Sequence, residues 1–153
     1  MPGPAVSRSS PTKGDAAAES HPPVGRLRIL VADADRELRQ LIGFVLRNEG
    51  HDVVEAADGS ELLEAIASLV IDGTRPFDVI ISAQAIPGIP GVSVLAGLRS
   101  RGRRTPFVLM TGNPVVQGQA RRLGAIVLDQ PFDAGAIRRA IQQADALTNP
   151  DGD

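Results

Sequence analysis

Five short apolar runs alternate with five segments of helical periodicity, and this alternation constrains the fold more than any other feature of the chain. The runs are residues 27–32, 52–56, 78–82, 106–110 and 125–128. Each is apolar at successive rather than alternate positions, the pattern of a strand buried on both faces of a parallel sheet. Between them Leu38, Leu41, Ile42, Val45 and Leu46 recur at the spacing of an amphipathic helix, and Gly50 supplies a stop. Leu62, Leu63, Ile66 and Leu69 mark a second helix. A short third helix is expected over 92–98 after the Pro87-Gly88 turn, and a weaker fourth, interrupted by Gly118, over 115–123. Ile137, Ala140, Ile141 and Ala144 mark the last. The order is (βα)5. Right-handed crossovers then lay helices on both faces of a five-stranded, doubly wound parallel sheet.

In such sheets functional groups gather beyond the carboxyl ends of the strands. Here those ends are Ala32-Asp33, Ala83, Thr111 and the segment Asp129-Gln130-Pro131. Asp35 stands where an N-cap of the first helix belongs, and Asp58-Gly59 reads as a turn and cap before the second. Ser82 adjoins Ala83, but successive strand side chains face opposite sides, so it is no candidate nucleophile for that site. Thr111 precedes Gly112-Asn113-Pro114, a setting for a turn or capping hydroxyl.

The 153 residues suffice for one domain with extensions. Residues 1–25 are rich in Pro, Ser, Ala and Gly without hydrophobic periodicity and read as a disordered leader. Residues 26–147 are the expected domain, and 148–153 a disordered tail. There is no Cys, Trp or Tyr, and His occurs only at positions 21 and 51. Disulfides, thiolate sites, His-based metal or triad sites and aromatic platforms for nucleobases are thereby disfavoured. No apolar stretch approaches a membrane span or a secretory signal, so a cytoplasmic protein is expected.

Net charge is −2 but unevenly spread. Residues 33–78 hold eleven acids against four Arg, while 79–128 hold six Arg and no Asp or Glu. Arg99, Arg101, Arg103 and Arg104 cluster where the third helix ends, a place where the helix dipole favours cations. Arg121-Arg122 and Arg138-Arg139 fall on the last two helices.

Six ordered segments resemble the receiver domain of response regulators, the CheY-like family with a flavodoxin-like three-layer sandwich. They are 29–35 (Ile-Leu-Val-Ala-Asp-Ala-Asp), 55–59 (Glu-Ala-Ala-Asp-Gly), 78–83 through Pro87 and Gly91, 109–112 (Leu-Met-Thr-Gly), Gly124-Ala125 and Gln130-Pro131-Phe132. The resemblance covers about 26–147. It implies two-component signalling, in which an acidic pair binds Mg²⁺ and an aspartate after the third strand takes a phosphoryl group. A Thr or Ser senses that group, a Lys binds it, and an aromatic residue follows.

Position by position, most of that set is missing. Asp33 keeps one acid, but Ala34 replaces its partner. Ala83 stands at the phosphoacceptor position, and Gln130 replaces the Lys. Thr111 matches the switch hydroxyl, and the aromatic position falls among Ile126, Val127 and Leu128. The stretch from Thr111 to Gln130 is also short by roughly one helical turn. The only lysine, Lys13, lies in the leader. No cofactor or metal is expected, Asp33 being a weak lone ligand. Gln130 is expected to hydrogen-bond Asp33 or a backbone group across the emptied pocket.

The resemblance therefore implies a non-enzymatic, stand-alone pseudo-receiver that binds a protein partner such as a histidine kinase, a regulator or a scaffold. The helices that carry Arg121, Arg122, Arg138 and Arg139 form the surface that receivers commonly use. A homodimer is compatible with this, a small-molecule substrate or membrane is not expected, and no output domain is expected after the fifth helix. Two alternatives stand beside it. One is a working phosphorelay receiver with a displaced acceptor at Asp33 or Asp35. The other is nucleic-acid association through the Arg-rich stretch, which is weakened by the absent aromatics and a pI near 5.7.

Overall fold

In a computed structural model of the protein, the structure describes residues 25–72 and 76–148. The expected leader and tail lie outside the described residues, apart from Gly25 and Thr148. The chain runs β1 (Arg28–Ala32), α1 (Arg36–Asn48), β2 (Asp52–Ala56), α2 (Gly59–Asp72), β3 (Val79–Ala83), α3 (Gly91–Ser100), β4 (Phe107–Met110), α4 (Pro114–Arg122), β5 (Ile126–Leu128) and α5 (Ala134–Thr148). The strands form one sheet of order β2-β1-β3-β4-β5. All four pairings are parallel. The (βα)5 expectation therefore holds.

The order explains where the helices go. From β1 the chain steps outward to β2, then reverses across β1 to β3 and continues in that direction. With right-handed crossovers, α1 lies on one face and α2, α3 and α4 on the other. The helix α5 returns to pack on α1. The three inner strands are covered on both faces, and their residues are buried without alternation, Arg28 excepted. The edge strand β2 is mostly half-buried, as is β5.

Strand boundaries shift by a residue from the sequence expectation, for local reasons. The Leu27 N–H leaves the ladder to reach the Nδ1 of His51 at 3.1 Å. Asp78 brackets Arg28 instead of extending β3: its carboxylate accepts from the Arg28 N–H and its own N–H donates to the Arg28 carbonyl, both at 2.8 Å. The fourth helix forms despite the short connection, because Asn113 caps it through the N–H groups of Val115 and Val116 and Pro114 stands in its first turn.

Two close approaches fix the upper edge of the sheet. A Cβ on Gly91 would lie 2.4 Å from the Ala83 carbonyl oxygen and 2.8 Å from Leu109 Cδ1. A Cβ on Gly59 would lie 2.4 Å from Ile89 Cγ2, and the Gly59 N–H donates to the Pro87 carbonyl at 2.8 Å. Only glycine lets α2 and α3 begin this near the β3 end. At the other end of α3, Arg99 donates to three main-chain carbonyls. Its Nε donates to Leu123 at 2.8 Å and its Nη1 to Arg103 and Thr105 at 2.9 and 3.0 Å. Burial, reinforced by the nearby charge of Arg104, lowers its pKa.

The buried His51 acts as an acceptor, so it is neutral in the fold. Burial lowers its pKa, outweighing the carboxylates of Glu49, Asp145, Asp52 and Asp78, which pull it upward. The unfolded chain thus binds this proton more tightly than the folded one. The His51 contribution is complete above the unfolded value of about 6.5 and declines as pH falls below it. The urea midpoint is expected to drop from pH 7 to about pH 5.5, and His51→Gln to flatten that part of the profile. Gly91→Ala is expected to cost about 1–3 kcal/mol through overpacking against rigid backbone. Gly97→Ala in the same helix, where a Cβ meets nothing within 4 Å, is expected to stabilise by up to about 1 kcal/mol.

Candidate functional site

Because all five strands run parallel, their carboxyl ends share one edge, and the loops leaving them enclose a cleft of about 320 Å³. The structure brings together the four strand ends marked in the sequence: Asp33, Ala83, Thr111 and Gln130 all line it. Asp35, Leu38 and Gln84 also line it.

Each polar group in the cleft has a structural engagement, with one exception. Asp33 is buried, and its N–H extends the β1–β2 ladder to the Ala56 carbonyl at 3.1 Å. Its carboxylate accepts from the Asp35 N–H at 2.9 Å. Arg39 does not neutralise that carboxylate by contact. It donates to the Asp33 main-chain carbonyl at 2.7 Å and pairs with Glu55 at 3.1 Å. Burial pushes the Asp33 carboxyl above its ordinary pKa. The Asp35 hydrogen bond and the Arg39 charge oppose that rise, and the Asp35 charge adds to it.

Asp35 caps α1 as expected, accepting from the Glu37 and Leu38 N–H groups at 3.0 and 3.2 Å. Thr111 is buried, and its hydroxyl accepts from the Asn113 N–H at 3.1 Å while its carbonyl accepts from Gln117 at 2.9 Å. Ser82 is buried and donates to the Ala83 carbonyl at 2.8 Å. Gln130 is the exception. It is exposed, and the expected hydrogen bond across the cleft to Asp33 or to backbone is not formed.

Gln84 escaped the sequence reading. Its side-chain carbonyl accepts from the Val92 N–H at 2.8 Å, its N–H donates to Met110 at 3.1 Å, and its carbonyl accepts from Gly91 at 2.9 Å. It therefore ties the start of α3 to the ends of β3 and β4. Adjacency to a strand end was the only available signal.

The donor set does not fit Mg²⁺. That ion needs octahedral oxygen ligation with carboxylates free to bind. Ala83 and Ala34 offer no side-chain oxygen, one oxygen of the Asp33 carboxylate is engaged, and Asp35 is engaged as a cap. Among the described residues no group of three or more His, Cys, Asp and Glu could hold a metal.

The fold and the converging strand ends agree with a match to the family described as response regulator receiver domain, over residues 29–142. The chain belongs to this family. Receivers of this kind work in two-component signalling. The chain is 27% identical over 119 residues to sporulation initiation phosphotransferase F of Bacillus subtilis, covering 76% of this chain and 91% of that protein. It is 29% identical over 124 residues to the transcriptional regulatory protein FixJ of Bradyrhizobium diazoefficiens, covering 76% of this chain. It spans only 58% of the FixJ length. Chemotaxis response regulator CheY4 of Vibrio cholerae superposes with a TM-score of 0.64 at 26% identity, covering 78% of this chain and 99% of that one.

In this receiver the four helix arginines do not form one flat patch. Arg121 and Arg122 close α4 on one face of the sheet, whereas Arg138 and Arg139 lie on α5 on the other, so the pairs flank the β5 edge. Arg138 turns toward α1 and pairs with Glu49 at 3.3 Å. Among the described residues no helix is long and apolar enough to cross a membrane.

A raised carboxyl pKa means that ionised Asp33 costs the fold stability at neutral pH, a cost relieved as pH falls through the folded value. Asp33→Asn keeps an oxygen for the Asp35 N–H and removes the charge. It is expected to raise Tm at pH 7, with the advantage shrinking in acid, whereas Asp33→Ala loses the acceptor and is expected to lower Tm.

Proposed function

We propose that this receiver domain is a degenerate, phosphorylation-independent interaction module rather than an enzyme or a phosphoryl switch. The observation that carries the reading is Ala83. It lines the cleft at the end of the central strand, and a methyl group can neither attack phosphorus nor bind a cation. Three neighbours support it. Gln130 stands where a lysine would hold a phosphoryl oxygen, and the chain's single lysine, Lys13, precedes the domain. Thr111 spends its hydroxyl on a turn. Asp33 is buried, and one oxygen of its carboxylate is taken by the Asp35 N–H.

Without a ligand that distinguishes two states, nothing at this cleft biases a conformational equilibrium. What remains for function is the surface. Arg121, Arg122 and Arg139 are exposed around the β5 edge, and the outer face of α1 presents Leu41 and Phe44 at 54% and 66% exposure. Exposed large apolar side chains and exposed cations suit recognition of another protein. In this reading residues 26–147 act in the cytoplasm as a module that engages a histidine kinase, a regulator or a scaffold. The phosphotransferase role in the name of the Bacillus relative passes to this chain only if a displaced acceptor works.

Incubation with acetyl phosphate and Mg²⁺ followed by intact-mass measurement tests the reading, with Ala83→Asp alongside. The natural chain is expected to gain no phosphoryl group. One added group, lost on Asp33→Asn or Asp35→Asn, would replace this reading with a phosphorelay receiver.

A further inference from the structure

On the face carrying α2, α3 and α4, away from the strand-end cleft, an open groove of about 480 Å³ runs between α2 and α3. Leu63 and Ile66 of α2 line one wall, and Val94 and Leu98 of α3 the other. Ile89 precedes α3 while Arg101 and Arg103 follow it, so the groove has an apolar end and a basic end. Leu63 is 46% exposed, large for an apolar side chain with no packing role on its outer side. Gly97 lies in the α3 wall, and a Cβ there would meet nothing within 4 Å.

The charge at the basic end is uncompensated. Arg101 and Arg103 form no ion pair among the described residues, and no Asp or Glu occurs from Val79 to Leu128. Arg99 differs, being held by three carbonyls beneath them. Of the acids of the facing helix, Glu61 and Glu64 stand in its first turns, toward the apolar end, and Asp72 is its last residue.

We propose that this groove docks an amphipathic helix of a partner protein. Its apolar side chains would sit on Leu63, Ile66, Val94 and Leu98, and its carboxylates would meet Arg101 and Arg103. A third helix laid between two others is a ridge-into-groove contact, and helix-in-groove recognition reads apolar anchors at i, i+3 or i+4 and i+7. From Ser93 to Arg101 the wall extends about 12 Å, two helical turns, enough for those three anchors. Gly97, with Ala67 and Ser93 nearby, lets the incoming backbone approach closely.

Occupants from this chain fit less well. Residues 1–24 carry as many bases as acids and lack apolar periodicity. The exposed Leu41 and Phe44 of a second copy are flanked by Arg36 and Arg47 as well as Glu37, so that face brings cations toward cations. The inference rests on the reading of the chain as an interaction module, yet its failure would leave the phosphorylation result untouched.

Amide shifts of the ¹⁵N-labelled full chain, recorded during titration with two synthetic helical peptides, test it. Both carry Leu at i, i+4 and i+7; one has Glu and the other Lys at the flanking end. The Glu peptide is expected to shift amides of α2, α3 and Arg101–Arg103, and the Lys peptide to bind about tenfold more weakly, the scale of rim charge pairs. Arg101→Glu with Arg103→Glu is expected to reverse that preference, and Gly97→Leu to block both peptides, each variant's spectrum reporting its own folding. No groove shifts up to about 1 mM peptide, or equal response to both peptides, would overturn the proposal. So would groove shifts that appear with rising protein concentration alone, which mark a second copy.

Discussion

Backbone hydrogen bonding in a parallel register governs the rest of this molecule. The inner strands are covered on both faces, so their N–H and C=O groups have no water to turn to and must pair with one another. Pairing Ile29 with Val79, Ile80 with Phe107 and Val108 with Ile126 aligns the strand ends to within a residue or two. Every loop that leaves the sheet at its carboxyl edge is then forced into the same small volume. The cleft is a consequence of that register and persists whatever side chains line it.

What fills the cleft follows from desolvation. A carboxylate held at the edge of a packed sheet is costly unless cations or several donors surround it. Here only the Asp35 N–H reaches Asp33, and Arg39 is committed to the Asp33 carbonyl and to Glu55. With a methyl at Ala83 and an exposed amide at Gln130, little repulsion or attraction crosses the cleft. The polar groups that stay serve connections: Thr111 and Asn113 start α4, Asp35 starts α1, and Gln84 fastens α3. Each holds a loop in place at the carboxyl edge of the sheet.

The fold was legible because buried parallel strands need continuous apolar runs and their helices need a 3.6-residue stripe, and both are local patterns. Asp35 was legible for the same reason, since a cap acts on residues two and three positions away. Gln84, Arg99 and His51 were not, because their partners come from other segments. Arg99 is satisfied by carbonyls at positions 103, 105 and 123, which meet only once α3, its following loop and the end of α4 are in place. His51 accepts from Leu27, a residue 24 positions earlier. Gln130 lines the cleft as the resemblance implied, but it is exposed and the hydrogen bond expected of it is not formed, because a bond across a cleft depends on the path of the chain beyond β5 and not on a local pattern.

The Arg-rich stretch shows why net charge alone is a poor guide to a partner. Taken along the sequence, 79–128 is a single positive block. In space it separates by role. Arg99 is half-buried and tied to main-chain carbonyls, Arg121 and Arg122 end α4, and Arg101 and Arg103 border an apolar groove. A nucleic-acid surface would need these cations spread along a track matching a phosphate backbone. Cations gathered at one end of an apolar trough instead favour a ligand that is apolar along its length and anionic at one end. That contrast favours a protein helix over a polyanion, and it ties the unequal distribution of charge to the shape of the surface that displays it.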